Sequence, residues 1–268
     1  MKIPKIIGIL NITPDSFSDG GNYSHIDDAI AHAKSMIEAG ANIIDIGAIS
    51  TRPNADCISY QEEIKRLSTI LPELKNLISN TEIKISLDSY NYQTIAKYIP
   101  YIDIINDVTG MDDVNMQTVA IESGKDIIFM HNMGVPVDNN LRCLDPQQDI
   151  IEFLLNWRDR KLEELESKGI KSTQLIFDPG VGFGKNTTQS FDIILRISEL
   201  VSTKVKILVG HSRKSFLLLF GEKDPKKRDL ETHITTTYLL DKDIDYIRIH
   251  DTSGTVRAIN LYNKLHRV

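Results

Sequence analysis

The stretch KIIGILNITPDSFSDGGNYSHIDDAIAHAKSMIEAGANIIDIG, residues 5–47, contains a strand, a loop, a helix and a second strand. Lys5 to Leu10 is a short β-rich apolar run, as a buried strand reads. Past Leu10 the chain turns polar, with Asn11, Asp15, Asp19, three hydroxyl residues and one aromatic, Phe17. From His25 the apolar residues fall at three- and four-residue spacing, the period of an amphipathic helix, and Gly40 is its stop. A second apolar run, Asn42 to Gly47, follows. Two strands joined through a helix lie parallel, because the helix carries the chain back to the end of the sheet where the first strand began.

The unit recurs along the chain. Strand runs are Lys5–Leu10, Asn42–Gly47, Lys84–Ser89, Asp103–Val108, Asp126–His131, Leu175–Gly180, Lys206–Ser212 and Tyr246–Asp251, with helical patterns between them, the longest from Gln147 to Gly169. Eight alternations in 268 residues are the signature of an α/β fold closed as a single (β/α)8 TIM barrel, expected as one domain over residues 1–268. An open doubly wound sheet is the alternative.

Composition narrows the partners. With 41% hydrophobic and 25% charged residues the chain can bury one large core. A net charge of −6 and a pI near 5.7 argue against nucleic acid, which needs a clustered basic face. The basic run Lys223–Arg228 reads as a solvated loop. No apolar stretch reaches the length of a membrane span, and the first residues lack a signal peptide's apolar core, so no membrane partner and a cytoplasmic location are expected. Cys57 and Cys143 have no metal-ligand spacing and read as free thiols of a reducing compartment.

Barrel active sites form at the carboxyl ends of the strands, which explains a polar loop directly after the first one. The other strand ends carry Ser50, Thr51 and Arg52, then Asp88, Asn106 and Asp107, and His131. Beyond them come Asp178 with the loop PGVGFGK, Ser212, Arg213 and Lys214, and finally Arg248 and His250. Asp88, Asn106 and Asp178 offer donors and acceptors for a flat, nitrogen-rich heterocycle. Arg52, Arg213, Lys214, Arg248 and His250 suit an anion with several phosphate oxygens. Asn11, Asp15 and Asp19 offer hard oxygen ligands for Mg²⁺.

Singly, each has a plainer reading. A strand-end aspartate more often caps a helix, PGVGFGK is neither a Walker loop nor GxGxxG, and His250–Gly254 could be a capped helix start. Trp157 reads as packing, and His32 and His233 as surface or core-edge groups. Their accumulation on one face of one barrel points to a phosphorylated heterocycle.

Seven segments, in order, carry a resemblance: ILNITPDSFSDGG (9–21), STRP (50–53), SLDSY (86–90), IINDVTG (104–110), FDPGVGFGK (177–185), GHSRKSF (210–216) and IRIHD (247–251). Over its full length the chain resembles the dihydropteroate synthase family of pterin-binding enzymes. The resemblance implies condensation of 6-hydroxymethyl-7,8-dihydropterin diphosphate with p-aminobenzoate, releasing pyrophosphate, by an S_N1-like route with Mg²⁺ as cofactor. It implies a pterin pocket of Asp88, Asn106, Asp178 and Lys214. It implies a diphosphate site of Asn11, Arg248 and His250, with Asn11 near the metal. Phe17, Thr51, Arg52, Pro53, Phe183, Lys214 and Ser215 would form the p-aminobenzoate pocket and its loops. Asn11, Lys214, Arg248 and His250 would carry the catalysis, in a homodimer.

The chain departs from the family at GAISTRP, where Ala48 and Ile49 replace the usual glycine and glutamate, and RDLETHITTTYLL lacks the usual small-residue run. PGVGFGK shows no insertion, so sulfonamides are expected to inhibit. A methyltetrahydrofolate-binding methyltransferase domain shares the barrel but has no use for a diphosphate site. A degenerate pterin-binding module is the third reading, with Ala48 and Ile49 as the erosion.

Overall fold

The computed structural model describes residues 2–12, 22–49, 58–134, 144–145 and 147–266, with the side chains of 22–25 outside the description. Eight strands close into one parallel barrel in sequence order. They are β1 (Lys5–Asn11), β2 (Ile43–Gly47), β3 (Lys84–Asp88), β4 (Ile104–Asp107), β5 (Asp126–Met130), β6 (Leu175–Asp178), β7 (Lys206–Val209) and β8 (Tyr246–Ile249). Closure runs through β1 and β8, with Ile6 opposite Ile247 and Gly8 opposite Ile249. Helices α1 (Asn22–Ala39), α2 (Tyr60–Ile78), α3 (Tyr92–Tyr98), α4 (Val114–Ser123), α5 (Ile150–Ser167), α6 (Thr187–Leu195), α7 (Asp229–Leu239) and α8 (Thr252–His266) alternate with the strands. The open-sheet alternative is excluded.

Alternation along each strand separates two cores. Ile7, Ile43, Ile104, Ile128, Ile176, Leu208 and Tyr246 form one buried cluster from seven strands, the floor of the barrel interior. Their chain neighbours Ile6, Ile44, Ile105, Ile127, Leu175, Ile207 and Ile247 belong instead to the larger cluster shared with the helices. Because a strand's side chains alternate, residues two further along point inward again, one layer nearer the carboxyl rim. That step places Asp45, Asn106, Asp178 and Arg248 inside the barrel.

Several strands end sooner than their apolar runs. The Leu175–Gly180 run stops at Asp178, whose Oδ1 accepts the Gly180 amide at 2.7 Å and turns the chain out of the sheet. The Lys206–Ser212 run stops at Val209. Ser212 then serves the site rather than the sheet, because its Oγ accepts the amide of His250.

Candidate active site

The inward layer above the floor is an ionic network. Arg248, on β8, donates from Nε to Asp45 Oδ2 at 2.6 Å and from Nη2 to Asp88 Oδ2 at 2.7 Å. Asn106 donates from Nδ2 to both oxygens of Asp45, at 3.2 and 3.1 Å. Asp45 is fully buried, so its charge is balanced inside the protein. Burial pushes Asp88 up to about 7 against the pull of Arg248, and Asp45, a second carboxylate nearby, adds to the rise. Burial also works against the Arg248 charge, but Asp45 and Asp88 outweigh it and hold the guanidinium firmly protonated.

Asn106 and its neighbour Asp107 part company. Asn106 faces the interior, while Asp107 accepts from the Thr109 amide and hydroxyl and from the Met111 amide. It thereby holds the turn in which Met111 takes a φ of 62°. Asp107 is a loop anchor.

The glycine-rich loop after β6 forms the opposite wall. Gly180 has φ +65°, and a Cβ there would lie 1.9 Å from the His131 carbonyl oxygen, so only glycine permits this approach. Phe183 packs with Val108 and Met130, with Tyr90 alongside, giving an apolar surface beside the ionic layer. Lys214 crosses from the loop after β7, its Nζ 4.1 Å from the Phe183 ring centre. Burial pulls the Lys214 amine down to about 8, opposed mainly by Asp178. Asp178 is itself raised by burial, against its Gly180 bond and the Lys214 charge.

The loop presenting Lys214 is tightly built. Arg213 sits at φ 58° and makes a two-point pair with Asp229, 2.7 and 2.8 Å, while its amide donates to Thr232. Its guanidinium is thus paired with α7. Lys223–Lys227 are exposed, as the reading of the basic run as solvated has it, and only Arg228 departs from it. It is buried and donates to the carbonyls of Glu222, Lys223, Arg213 and Lys214. Ser215 is exposed, at the start of a 3-10 turn, Ser215–Leu219.

At the end of β8, His250 Nδ1 lies 2.9 Å from Ser212 Oγ. Asp251 Oδ1 accepts the Gly254 amide, which opens α8 in the manner of a helix cap, and its Oδ2 lies 3.2 Å from His233 Nε2. Both the cap reading of His250–Gly254 and a role for His250 at the rim are compatible with this geometry. Trp157 packs against Phe129, Phe177 and His131.

Asn11 closes β1 and is half-buried. Among the described residues no group of three or more histidine, cysteine or acidic side chains is placed to hold a metal. One amide oxygen nonetheless fits Mg²⁺ of the kind that keeps waters and binds through substrate phosphates. Phe17, Thr51, Arg52 and Pro53 lie outside the described residues, as do Asp15 and Asp19. Ala48 and Ile49 are buried, and the Ala48 carbonyl accepts Arg66 Nη1 at 3.1 Å. An apolar side chain at 49 is therefore packed away.

The structure adds Asp45, which lies mid-strand rather than at a strand end. Its signal was a single carboxylate inside the apolar run NIIDIG, where a charge persists only if partnered.

These features define a class: a (β/α)8 barrel with a charge-balanced polar layer and an apolar shelf at the carboxyl rim. The model of the pterin binding enzyme family matches residues 7–250. The chain is 35% identical to the dihydropteroate synthase of Staphylococcus haemolyticus over 94% of this chain and 91% of that one. It superposes with a TM-score of 0.88 on Anaplasma phagocytophilum dihydropteroate synthase with bound 6-hydroxymethylpterin-monophosphate, at 32% identity over 98% of this chain and 100% of that one. The Xanthomonas albilineans dihydropteroate synthase with 4-aminobenzoic acid gives 0.89 at 27% identity, covering 100% and 94%. The chain spans 30% and 31% of the length of the probable bifunctional folylpolyglutamate synthase/dihydropteroate synthases of Haloferax volcanii and Halobacterium salinarum. The chain belongs to the pterin-binding enzyme family, among its dihydropteroate synthases.

Proposed function

We propose that the chain joins the amine of p-aminobenzoate to the methylene of 6-hydroxymethyl-7,8-dihydropterin diphosphate, giving dihydropteroate and pyrophosphate. The observation that carries this reading is Arg248, held by Asp45 and Asp88, with Asp45 also accepting from Asn106. The layer supplies acceptors for a pterin's N–H edge and a fixed cation for the group that leaves.

The methylene C–O bond breaks and its electron pair goes to the diphosphate oxygen, leaving a cation that the dihydropterin ring delocalises. The arylamine lone pair then forms the C–N bond, and the amine loses a proton. Arg248 and His250 stabilise the departing charge from fixed positions, so little reorganisation is needed as it develops. Asp88, Asn106 and Asp178 orient the pterin, with Asp178 facing its amino-pyrimidine edge. Lys214 and Phe183 form the shelf between pterin and arylamine. Asn11 is the described residue that would hold Mg²⁺, which when bound supplies positive charge for the leaving diphosphate.

Two further points belong to this reading. A cytoplasmic location goes with this reading; separately, no helix among the described residues is long and apolar enough to cross a membrane. Leu218, Leu219 and Phe220, with Leu230, Ile234 and Leu261, are exposed from the 3-10 turn after β7, from α7 and from α8. An apolar face of this kind supports a homodimer, the second copy covering it.

The test is pyrophosphate release from dihydropterin diphosphate and Mg²⁺, with and without p-aminobenzoate. Release that needs p-aminobenzoate and yields dihydropteroate is expected, with a sulfonamide competing against p-aminobenzoate. Pterin binding without release would leave a degenerate binding module.

A further inference from the structure

Lys185, the last residue of the glycine-rich loop, is buried, and the chemistry above does not use it. Its Nζ lies 2.8 Å from His131 Nδ1, 3.2 Å from the His131 carbonyl and 3.1 Å from the Phe183 carbonyl. The two carbonyls accept, and Nδ1 accepts in the tautomer that carries its proton on Nε2. Burial, then the Lys185 charge, pulls His131 down to about 2, so its ring is neutral and Nδ1 has a lone pair to give. Burial also draws the Lys185 amine down to about 7, opposed by Asp178. Three acceptors nonetheless match the three N–H groups of an ammonium, whereas a neutral amine has only two.

The imidazole is fixed in turn. Its ring stands edge to face against Phe153, 5.3 Å between centres, and against Trp157, 4.9 Å. The carbonyl that Lys185 grips is the one Gly180 approaches. The Phe183 amide donates back to the Gly180 carbonyl at 3.0 Å. Lys185 therefore ties the start of the loop, through His131 just beyond β5, to the backbone of Phe183. An apolar side chain of that length would fill the space without the desolvation cost. What the ammonium adds is direction.

We propose that Lys185, seated on His131, is a positioning residue that sets the Phe183 ring and thereby the affinity of the pocket for the arylamine, without itself touching substrate. The inference rests on the reading of Phe183 as a wall of the arylamine pocket.

The experiment is a double-mutant cycle of Lys185→Met and Phe183→Ala, reading kcat, the KM of each substrate and the melting temperature. Lys185→Met is expected to raise the KM for p-aminobenzoate about tenfold while the KM for dihydropterin diphosphate moves less than about twofold. In the Phe183→Ala background the same change should move the p-aminobenzoate KM by less than about twofold, because the ring it positions is gone. Equal rises in both KM values, or fully additive effects, would overturn the proposal. Should Lys185→Met not fold, Lys185→Gln, whose shorter side chain and two N–H groups cannot meet all three partners, takes its place, and an unchanged p-aminobenzoate KM there would overturn the proposal equally. Phe183→Ala with a wild-type p-aminobenzoate KM would instead remove the reading of Phe183, and the inference with it. Wild-type protein that forms no dihydropteroate would remove the enzymatic reading itself.

Discussion

The floor of the barrel and the layer above it come from the same strands, two residues apart, and have opposite characters. Ile43, Ile104, Ile176 and Tyr246 pack as hydrocarbon, whereas Asp45, Asn106, Asp178 and Arg248 carry charge or amide groups. The floor needs only volume and apolarity, and each buried side chain there contributes roughly 1.5–3 kcal/mol. The upper layer gains its stability only when every charge finds a partner, because an unpaired buried ion costs several kcal/mol. The contrast teaches that the same alternation that closes the barrel also delivers a reactive layer to its rim.

Removing Arg248 attacks that contrast most directly. Arg248→Ala leaves Asp45 and Asp88 without their cation, so a loss of about 3–5 kcal/mol in denaturant unfolding is expected, with turnover falling about 100-fold or more. A variant of undiminished stability and turnover would mean that the polar layer is packing after all. On the floor, Ile176→Ala should cost about 2–5 kcal/mol through the cavity it opens, with the kcat of folded protein little changed. A fall in kcat matching the Arg248 variant would erase the distinction between the layers.

pH offers a subtler probe. The folded Asp88 carboxyl, near 7, lies above its ordinary value. The folded state therefore holds more protons than the unfolded one between those two values. Its contribution to stability is complete below the unfolded pKa and is lost as pH rises through about 7. Melting temperatures followed across that window should show this decline, and Asp88→Asn should flatten it. The smallest effect is expected at the loop after β7. Arg228→Lys cannot keep four carbonyls in one planar fork, and a loss of about 1–2 kcal/mol should appear in thermal unfolding. No change there would mean that the Lys214 loop holds itself.

Different parts of this molecule were legible to different depths. Each strand was visible because a strand buried on both sides must read as an apolar run. Asp88, Asn106, Asp178 and Arg248 were visible as polar residues at or near the ends of those runs. Asp45 was visible only as an anomaly, because its partner Arg248 lies 203 residues away. Arg213 and Arg228 look like free cations in sequence, and only the fold brings Asp229 and four carbonyls to them. Asn106 and Asp107 look alike as neighbours, and the pleat sends one inward and the other to a turn.

The sequence by itself determined the number, order and parallel sense of the strands, the rim where chemistry gathers, and the family, since these follow from local periodicity and ordered motifs. The tertiary structure alone decided which charges pair and which residue fixes another: Arg248 with Asp45 and Asp88, Arg213 with Asp229, and Lys185 with His131 and Phe183. Hydrogen bonds and ion pairs act over a few ångströms, and closing the barrel brings within that range side chains that the chain keeps far apart.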